Sequence, residues 1–280
     1  MVMGNTKFRF DKEQDAFYIS RKRMKNYHGQ HVHDFFEVLY LFSGERCFFI
    51  NDRIFKMNEG DLIIINPNVL HKAISDQSPD CEGILLYFQE AFLAPNRPLR
   101  EALTQLFANE TISINLLLNE RSLIEDLFLK MLQEDRNKNN GYQLALQGFL
   151  LQLLVLLGRH VKSSNDSSFE HPSPMHEKVS EIAQFINQNY PEPLSLTSLA
   201  NRFFISPSYL SKIFKETTNF SFVEYLNNVR VKEAKRLLLE SRKKVVEIAA
   251  EVGFGSVTHF GRVFKEITGN SPLFYRKFKD

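Results

Sequence analysis

One stretch of this chain occurs twice. Residues Tyr209–Tyr225 and His259–Tyr275 align at a fixed offset of 50, matching Phe214/Phe264, Lys215/Lys265, Glu216/Glu266, Thr218/Thr268, Ser221/Ser271 and Tyr225/Tyr275. A duplicated segment is one supersecondary unit used twice, so both copies must bury the same face. In the second copy Val245, Val246, Ile248, Ala249 and Val252 recur at helical spacing and Gly253 follows as a left-handed stop. Ser256 then caps a helix whose apolar stripe is Phe260, Val263, Phe264 and Ile267. Gly269 ends that helix, and Ser271-Pro272 supplies the cap and first-position proline of another. The first copy opens at Ser206-Pro207 and buries Leu210, Ile213 and Phe214. The pattern predicts two helix-turn-helix units, joined by one amphipathic helix over Phe222–Glu240 that would hold them at fixed separation.

The outward faces are small, polar and basic, as a helix lying in a DNA major groove must be. They comprise Ser206, Ser208, Ser211, Lys212 and Lys215 in the first copy, and Ser256, Val257, Thr258, Gly261, Arg262 and Lys265 in the second. Arg262 has the donors to bridge guanine O6 and N7, Val257 and Thr258 suit thymine methyls, and Lys212 and Lys215 suit bases or phosphates. The helix starts at Ser206 and Ser256 offer backbone amides to phosphate. Charge agrees: residues 175–280 carry 16 Lys+Arg against 11 Asp+Glu, while residues 1–174 carry 19 against 22. A basic end attached to an acidic remainder fits a phosphate-binding module with a separate sensing module. The plainer reading, a helical bundle with a solvated basic face, explains neither the repeated caps nor the repeated outward faces.

The segments SPSYLSKIFKETT, EYLNNVRVKEAKRLL, EIAAEVGF and HFGRVFKEITGNSPLFYR resemble the AraC/XylS family of bacterial transcription regulators over roughly the last hundred residues. The chain departs from the family pattern at Asn219, where glycine is usual, and at Gly261, which offers only backbone where a side chain often meets the bases. A less discriminating second reading head is the expectation. The resemblance implies double-stranded DNA as partner, transcription activation through RNA polymerase, and a homodimer.

Upstream, FFEVLYLF, RCFFI, LIIIN and GILLYF read as short strands separated by tight turns, including Asn58-Glu59-Gly60-Asp61, which suggests a small barrel or sandwich. His31-x-His33-x3-Glu37-x6-Gly44 follows the first motif of the cupin barrels, and Gly60 to Pro67 with His71 follows the second more loosely, with Val69 where glycine is frequent. In a strand His31, His33 and Glu37 share parity, so with His71 they form a candidate three-histidine, one-carboxylate metal site. The other reading is that they line an effector cavity without metal, as the resemblance implies, with Tyr40 and Tyr87 as further polar handles whose face is left open. No cofactor is expected on that reading, and histidine, glutamate and tyrosine suit a small polar, sugar-like effector. The alternative function is a metal-dependent cupin enzyme fused to a DNA-binding module. No acid–base constellation beyond these residues supports it.

The fold expected is α+β. Residues 1–161 form a cupin-like effector-binding and dimerisation domain, with a barrel over about 8–90 and helices over about 97–161. Residues 162–174 are a Ser, Asn and Pro-rich linker, and 175–280 are the all-α double helix-turn-helix domain. Of the helical segments PLREALTQLFA, SLIEDLFLKML and YQLALQGFLLQLLVLLGRHV, the last is apolar almost all round. It is either buried within its domain or shared with a second subunit, and the resemblance favours the homodimer. Gln147, Gly148 and Gln152 interrupt it, and MVMGNTKFRFDKEQ has no apolar signal core, so a cytoplasmic chain without a membrane segment is expected. Cys47 and Cys81 sit in strand-like apolar surroundings and read as buried thiols.

Overall fold

The computed structural model describes residues 16–23, 33–74, 81–93, 111–116, 118–163 and 173–277. They separate near residue 170 into two compact units. The described part of the first unit contains strands β1 (Phe17–Arg23), β2 (Phe36–Ser43), β3 (Arg46–Ile50), β4 (Arg53–Met57), β5 (Asp61–Ile65), β6 (His71–Ala73), β7 (Glu82–Phe88) and β8 (Thr111–Asn115), with helices α1 (Glu90–Leu93), α2 (Leu118–Asn137) and α3 (Tyr142–Ser163). A five-stranded sheet in the order β1-β7-β2-β5-β8 faces a three-stranded sheet in the order β4-β3-β6, making a flattened barrel.

The larger sheet is covered on both faces. Val38, Tyr40, Leu62, Ile64, Ile84 and Leu86 pack against Leu127, Phe128, Leu150, Leu153 and Leu154 of α2 and α3. Their neighbours in sequence, Leu39, Leu41, Ile63, Ile65 and Leu85, point the other way and meet Phe48, Ile50, Phe55, Met57 and Ala73 inside the barrel. Strands buried on both faces have no solvent side to keep polar, which is why LIII and ILLYF are unbroken apolar runs rather than alternations. One strand lies where helix was expected. Residues 97–161 read as helical, yet Thr111–Asn115 pairs antiparallel with β5. TISIN alternates and is rich in β-branched residues, and an open sheet edge outweighs its short length. The candidate helix PLREALTQLFA lies outside the described residues.

Helix α3 is long and apolar enough over Tyr142–Arg159 to cross a membrane by length and composition alone. Its Leu146, Leu150, Leu153, Leu154 and Leu157 belong to the core between sheet and helices. Leu144 and Val155 remain exposed on its other side.

The second unit is helical: α4 (Pro174–Asn189), α5 (Leu196–Arg202), α6 (Pro207–Thr218), α7 (Phe222–Glu240), α8 (Val245–Glu251), α9 (Val257–Thr268) and α10 (Pro272–Lys277). Of the expected linker, residues 162–163 close α3 and Ser173 caps α4. Ser195 and Ser221 form reciprocal capping boxes at the starts of α5 and α7, each satisfying two amides that a helix start otherwise leaves unpaired. Val231, Ala234, Leu237 and Leu238 of α7 share one core with Ile248, Ala249 and Val252 and with Phe260, Val263 and Phe264. Removing one such fully buried ring costs about 3–5 kcal/mol. Arg230, buried on α7, reaches past the end of α4 and donates to the carbonyls of Tyr190 and Glu192 at 2.9 Å each. A cation on carbonyls at a helix C-terminus satisfies both the hydrogen bonds and the dipole, so the connecting helix is tied to α4 as well as to both repeats.

Candidate functional site

The repeat persists in three dimensions. Ser206 caps α6 by accepting from the Tyr209 amide at 3.2 Å, and Ser256 caps α9 by accepting from the His259 amide at 3.4 Å. Asn219 and Gly269 end the two helices in the left-handed region at φ 62° and 80°, each donating its N–H to the Lys215 or Lys265 carbonyl at 2.8 Å. Thr218 Oγ1 donates back to Phe214 O at 2.7 Å, and Thr268 Oγ1 to Phe264 O at 2.8 Å. Tyr225 packs edge-on to Phe214 at 5.3 Å, and Tyr275 to Phe264 at 5.5 Å.

With the buried faces committed in this way, the expected reading residues are left outside. Ser206, Ser208, Ser211, Lys212 and Lys215 on α6 are exposed, as are Ser256, Val257, Thr258, Arg262 and Lys265 on α9, while Gly261 is half-buried. An open groove runs beside α6, lined by Leu196, Pro207, Ser208, Ser211, Lys212 and Lys215. Two residues missed by sequence reasoning are also displayed: Tyr209 and His259, exposed at equivalent points of the first turns. The repeat alignment itself places them there.

In the barrel, the structure brings Glu37, His33 and His71 together. Glu37 lies on the central strand β2, opposite Ile65 of β5 and Tyr87 of β7, and its side chain is buried. His33 Nε2 and His71 Nε2 each lie 2.9 Å from the same carboxylate oxygen, Glu37 Oε2. The other ring nitrogens face main-chain carbonyls: His33 Nδ1 is 3.0 Å from Phe35 O, and His71 Nδ1 is 2.9 Å from Val69 O. The loop before β6 is fastened to this corner, because the Asn68 amide donates to His33 O at 2.6 Å. Burial alone would raise the Glu37 carboxyl, but the charge of His71 and the hydrogen bonds of both rings hold it well below the usual carboxylate range.

Tyr87 joins this cluster, with its ring 5.8 Å from His33 and 4.8 Å from Phe35. Tyr40 does not. Three positions along β2 from Glu37 it has the opposite parity, and it packs among the α2–α3 core residues, where its hydroxyl donates to Glu125. The expected grouping of Tyr40 with the effector residues is therefore corrected. His31 lies outside the described residues. Phe35 and Tyr18 were missed: Phe35 stacks on His33 at 3.8 Å and Tyr18 on Tyr87 at 5.7 Å. Phe35 has the parity of His33 and Glu37. Tyr18 is placed only by the β1–β7 register, which pairs it with Tyr87.

A family model described as an AraC-like ligand binding domain matches residues 14–154, and one described as a helix-turn-helix domain matches residues 199–277. The uncharacterized HTH-type transcriptional regulator YfiF of Bacillus subtilis is 25% identical over 280 residues, covering 97% of this chain and 87% of its own. An uncharacterized HTH-type transcriptional regulator of Staphylococcus aureus is 27% identical over 239 residues, covering 85% of this chain but 31% of the relative's length. Among solved structures, the C-terminal domain of AraT, a response regulator from Geobacillus stearothermophilus, is 33% identical over 39% of this chain and 88% of that domain, with a TM-score of 0.37.

Proposed function

The chain belongs to the AraC family of transcription regulators, with a ligand-binding domain followed by a helix-turn-helix DNA-binding domain, and from that premise we propose that it is a homodimeric cytoplasmic activator responding to a small polar effector. The observation that carries the DNA reading is the pair of reading helices, α6 and α9, with matching caps and outward serine, threonine, lysine and arginine side chains. Each helix enters the major groove, the two at successive segments about one helical turn, or roughly 34 Å, apart. Arg262 reads guanine, Val257 and Thr258 meet thymine methyls, and Lys212 and Lys215 hold phosphate or base edges. The amides at Ser206 and Ser256 take phosphate, and Ser208, Ser211 and Lys265 fill the remaining contacts.

The barrel cluster supports the effector reading. Polar atoms of His33, Glu37 and His71 lie beside the aromatic faces of Phe35 and Tyr87. Fixed acceptors next to an aromatic wall suit a hydroxyl-rich ring with apolar C–H faces, such as a sugar. Dimerisation is supported by α3, where exposed Leu144 and Val155 lie on one stripe with Gly148, next to which a Cβ would meet nothing. A small residue between apolar neighbours lets a second copy of the helix approach closely. As an activator the dimer contacts RNA polymerase from its site on the DNA.

Selection of the full-length protein on random duplex DNA tests the reading, at low and near-physiological salt. Two enriched short boxes about one turn apart are the expected result. Retention that vanishes with salt and enriches no sequence would reduce the basic faces to phosphate contacts.

A further inference from the structure

We propose that Arg230 is a positioning residue for the second reading helix alone: it holds residues 190–192, at the end of α4, against the turn that leads into α9. Helix α4 stops at Asn189, with Tyr190 as its C-cap, and Pro191 cannot continue it. A tight corner follows, in which the Glu192 amide donates to Asn189 O at 3.0 Å and the Leu194 amide to Glu192 O at 2.8 Å. The buried Arg230 side chain spans this corner. Its Nε donates to Tyr190 O and one terminal nitrogen to Glu192 O, each at 2.9 Å. The two carbonyls flanking Pro191 are thus gripped by one planar guanidinium, whose rigid fork fixes direction as well as distance.

Held in this way, the corner meets the second unit's turn at three points. A Cβ on Gly253 would lie 2.6 Å from Pro191 O and 2.9 Å from Pro191 Cα, so the two backbones are already in contact. The Arg230 guanidinium carbon stands 5.6 Å from the centre of the Phe254 ring, within reach of a cation–π attraction. The Tyr190 side chain packs on the core that α7, α8 and α9 share. Phe254 passes the constraint on: its buried ring lies 5.2 Å from Phe260 and 5.7 Å from His259, both in the first half of α9. A run of direct contacts therefore leads from α4 through Arg230 and Phe254 to the helix that carries Arg262. The first unit's turn is placed differently, since Phe204, the counterpart of Gly253, is 95% exposed. Base readout needs its side chains held within roughly half an ångström. Without the Arg230 grip α9 keeps its cap and its apolar stripe and stays helical, but its entry loosens. Discrimination by α9 then falls while discrimination by α6 is kept, whereas a general loss of fold would lower both together.

The proposal rests on reading α6 and α9 as the two DNA-reading helices. The test titrates full-length wild type, Arg230→Met, Arg230→Lys and Pro191→Gly against the selected duplex and against every single-base variant of its two boxes. Arg262→Ala marks the box that α9 reads. In wild type a wrong base pair in either box should cost about tenfold or more in affinity. Arg230→Met should shrink that penalty to about threefold or less in the α9 box and leave the α6 box within about twofold of wild type. Arg230→Lys, which keeps the charge but loses the fork, should fall between Arg230→Met and wild type. Pro191→Gly alters an exposed position and loosens the same corner without disturbing a buried charge, so it carries the test if circular dichroism shows the Arg230 variants unfolded. Its shift should be confined to the α9 box. Equal losses in both boxes, or unchanged penalties in the folded variants, overturn the proposal. Wild-type protein that shows no penalty in a second box overturns the two-helix reading, and this proposal with it.

Discussion

The two helix-turn-helix units share a frame but not a turn. From Ser206 and Ser256 onward they superimpose in chemistry at an offset of 50, cap for cap and ring for ring. Before the turn the offset is 49. Phe204 N donates to Asn201 O and Ile205 N to Ala200 O, as Gly253 N does to Ala250 O and Phe254 N to Ala249 O. Gly255 is the additional residue of the second turn. The left-handed position is thus Phe204 (φ 57°) in one unit and Gly253 (φ 90°) in the other. Phe204 is 95% exposed, whereas a Cβ on Gly253 would come within 2.6 Å of Pro191 O. One turn stands free and tolerates a strained aromatic; the other is pressed against backbone and admits only glycine. The duplicated helices are held by what they bury, and the turns have diverged according to what lies against them.

Five substitutions break or sharpen that comparison. Gly253→Ala should cost most, about 2–4 kcal/mol by denaturant unfolding, because it combines a left-handed strain with a clash against immobile main chain. Arg262→Ala should cost about 1–3 kcal/mol of DNA affinity concentrated at one base pair. Lys215→Ala, in the first unit, should weaken all sequences alike, and titrations against single-base variants of the selected site separate the two patterns. Gly261→Ala should raise stability by about 1 kcal/mol, since the position is mid-helix and its Cβ would meet nothing within the protein. If the more stable variant binds DNA less well, the bare backbone is there for close approach. Phe204→Gly should add about 0.5 kcal/mol, the relief of left-handed strain less the entropy of a freer unfolded chain. A loss would show that the exposed ring makes a stabilising contact.

Much of the helical half was legible in the sequence, because its information is local. A cap, a stripe at three- and four-residue spacing and a stop occupy one short window, and the duplication states each twice. The barrel was harder. That Glu37 and His33 share a face followed from parity, and the same parity, not applied to Tyr40, sets its ring on the opposite side of β2. Tyr18 and Tyr87 required the register between β1, β7 and β2, a long-range pairing that no window contains. Strand β8 was hidden for the same reason: TISIN becomes a strand because β5 offers it an edge. The convergence of both imidazoles on a single oxygen was also invisible, since it depends on the loop that ties Asn68 to His33.

The central claim is that α7 fixes the two reading helices as one rigid pair. Its most direct test is the affinity of the full-length protein for its selected duplex with 5 or 10 base pairs inserted between the two boxes. A rigid pair predicts a loss of about 100-fold or more at 5 base pairs, where the second box turns to the opposite face, and no recovery at 10, where the face is restored but the distance is not. Unchanged affinity at both spacings would contradict the account, because only one of the two units would then be reading DNA.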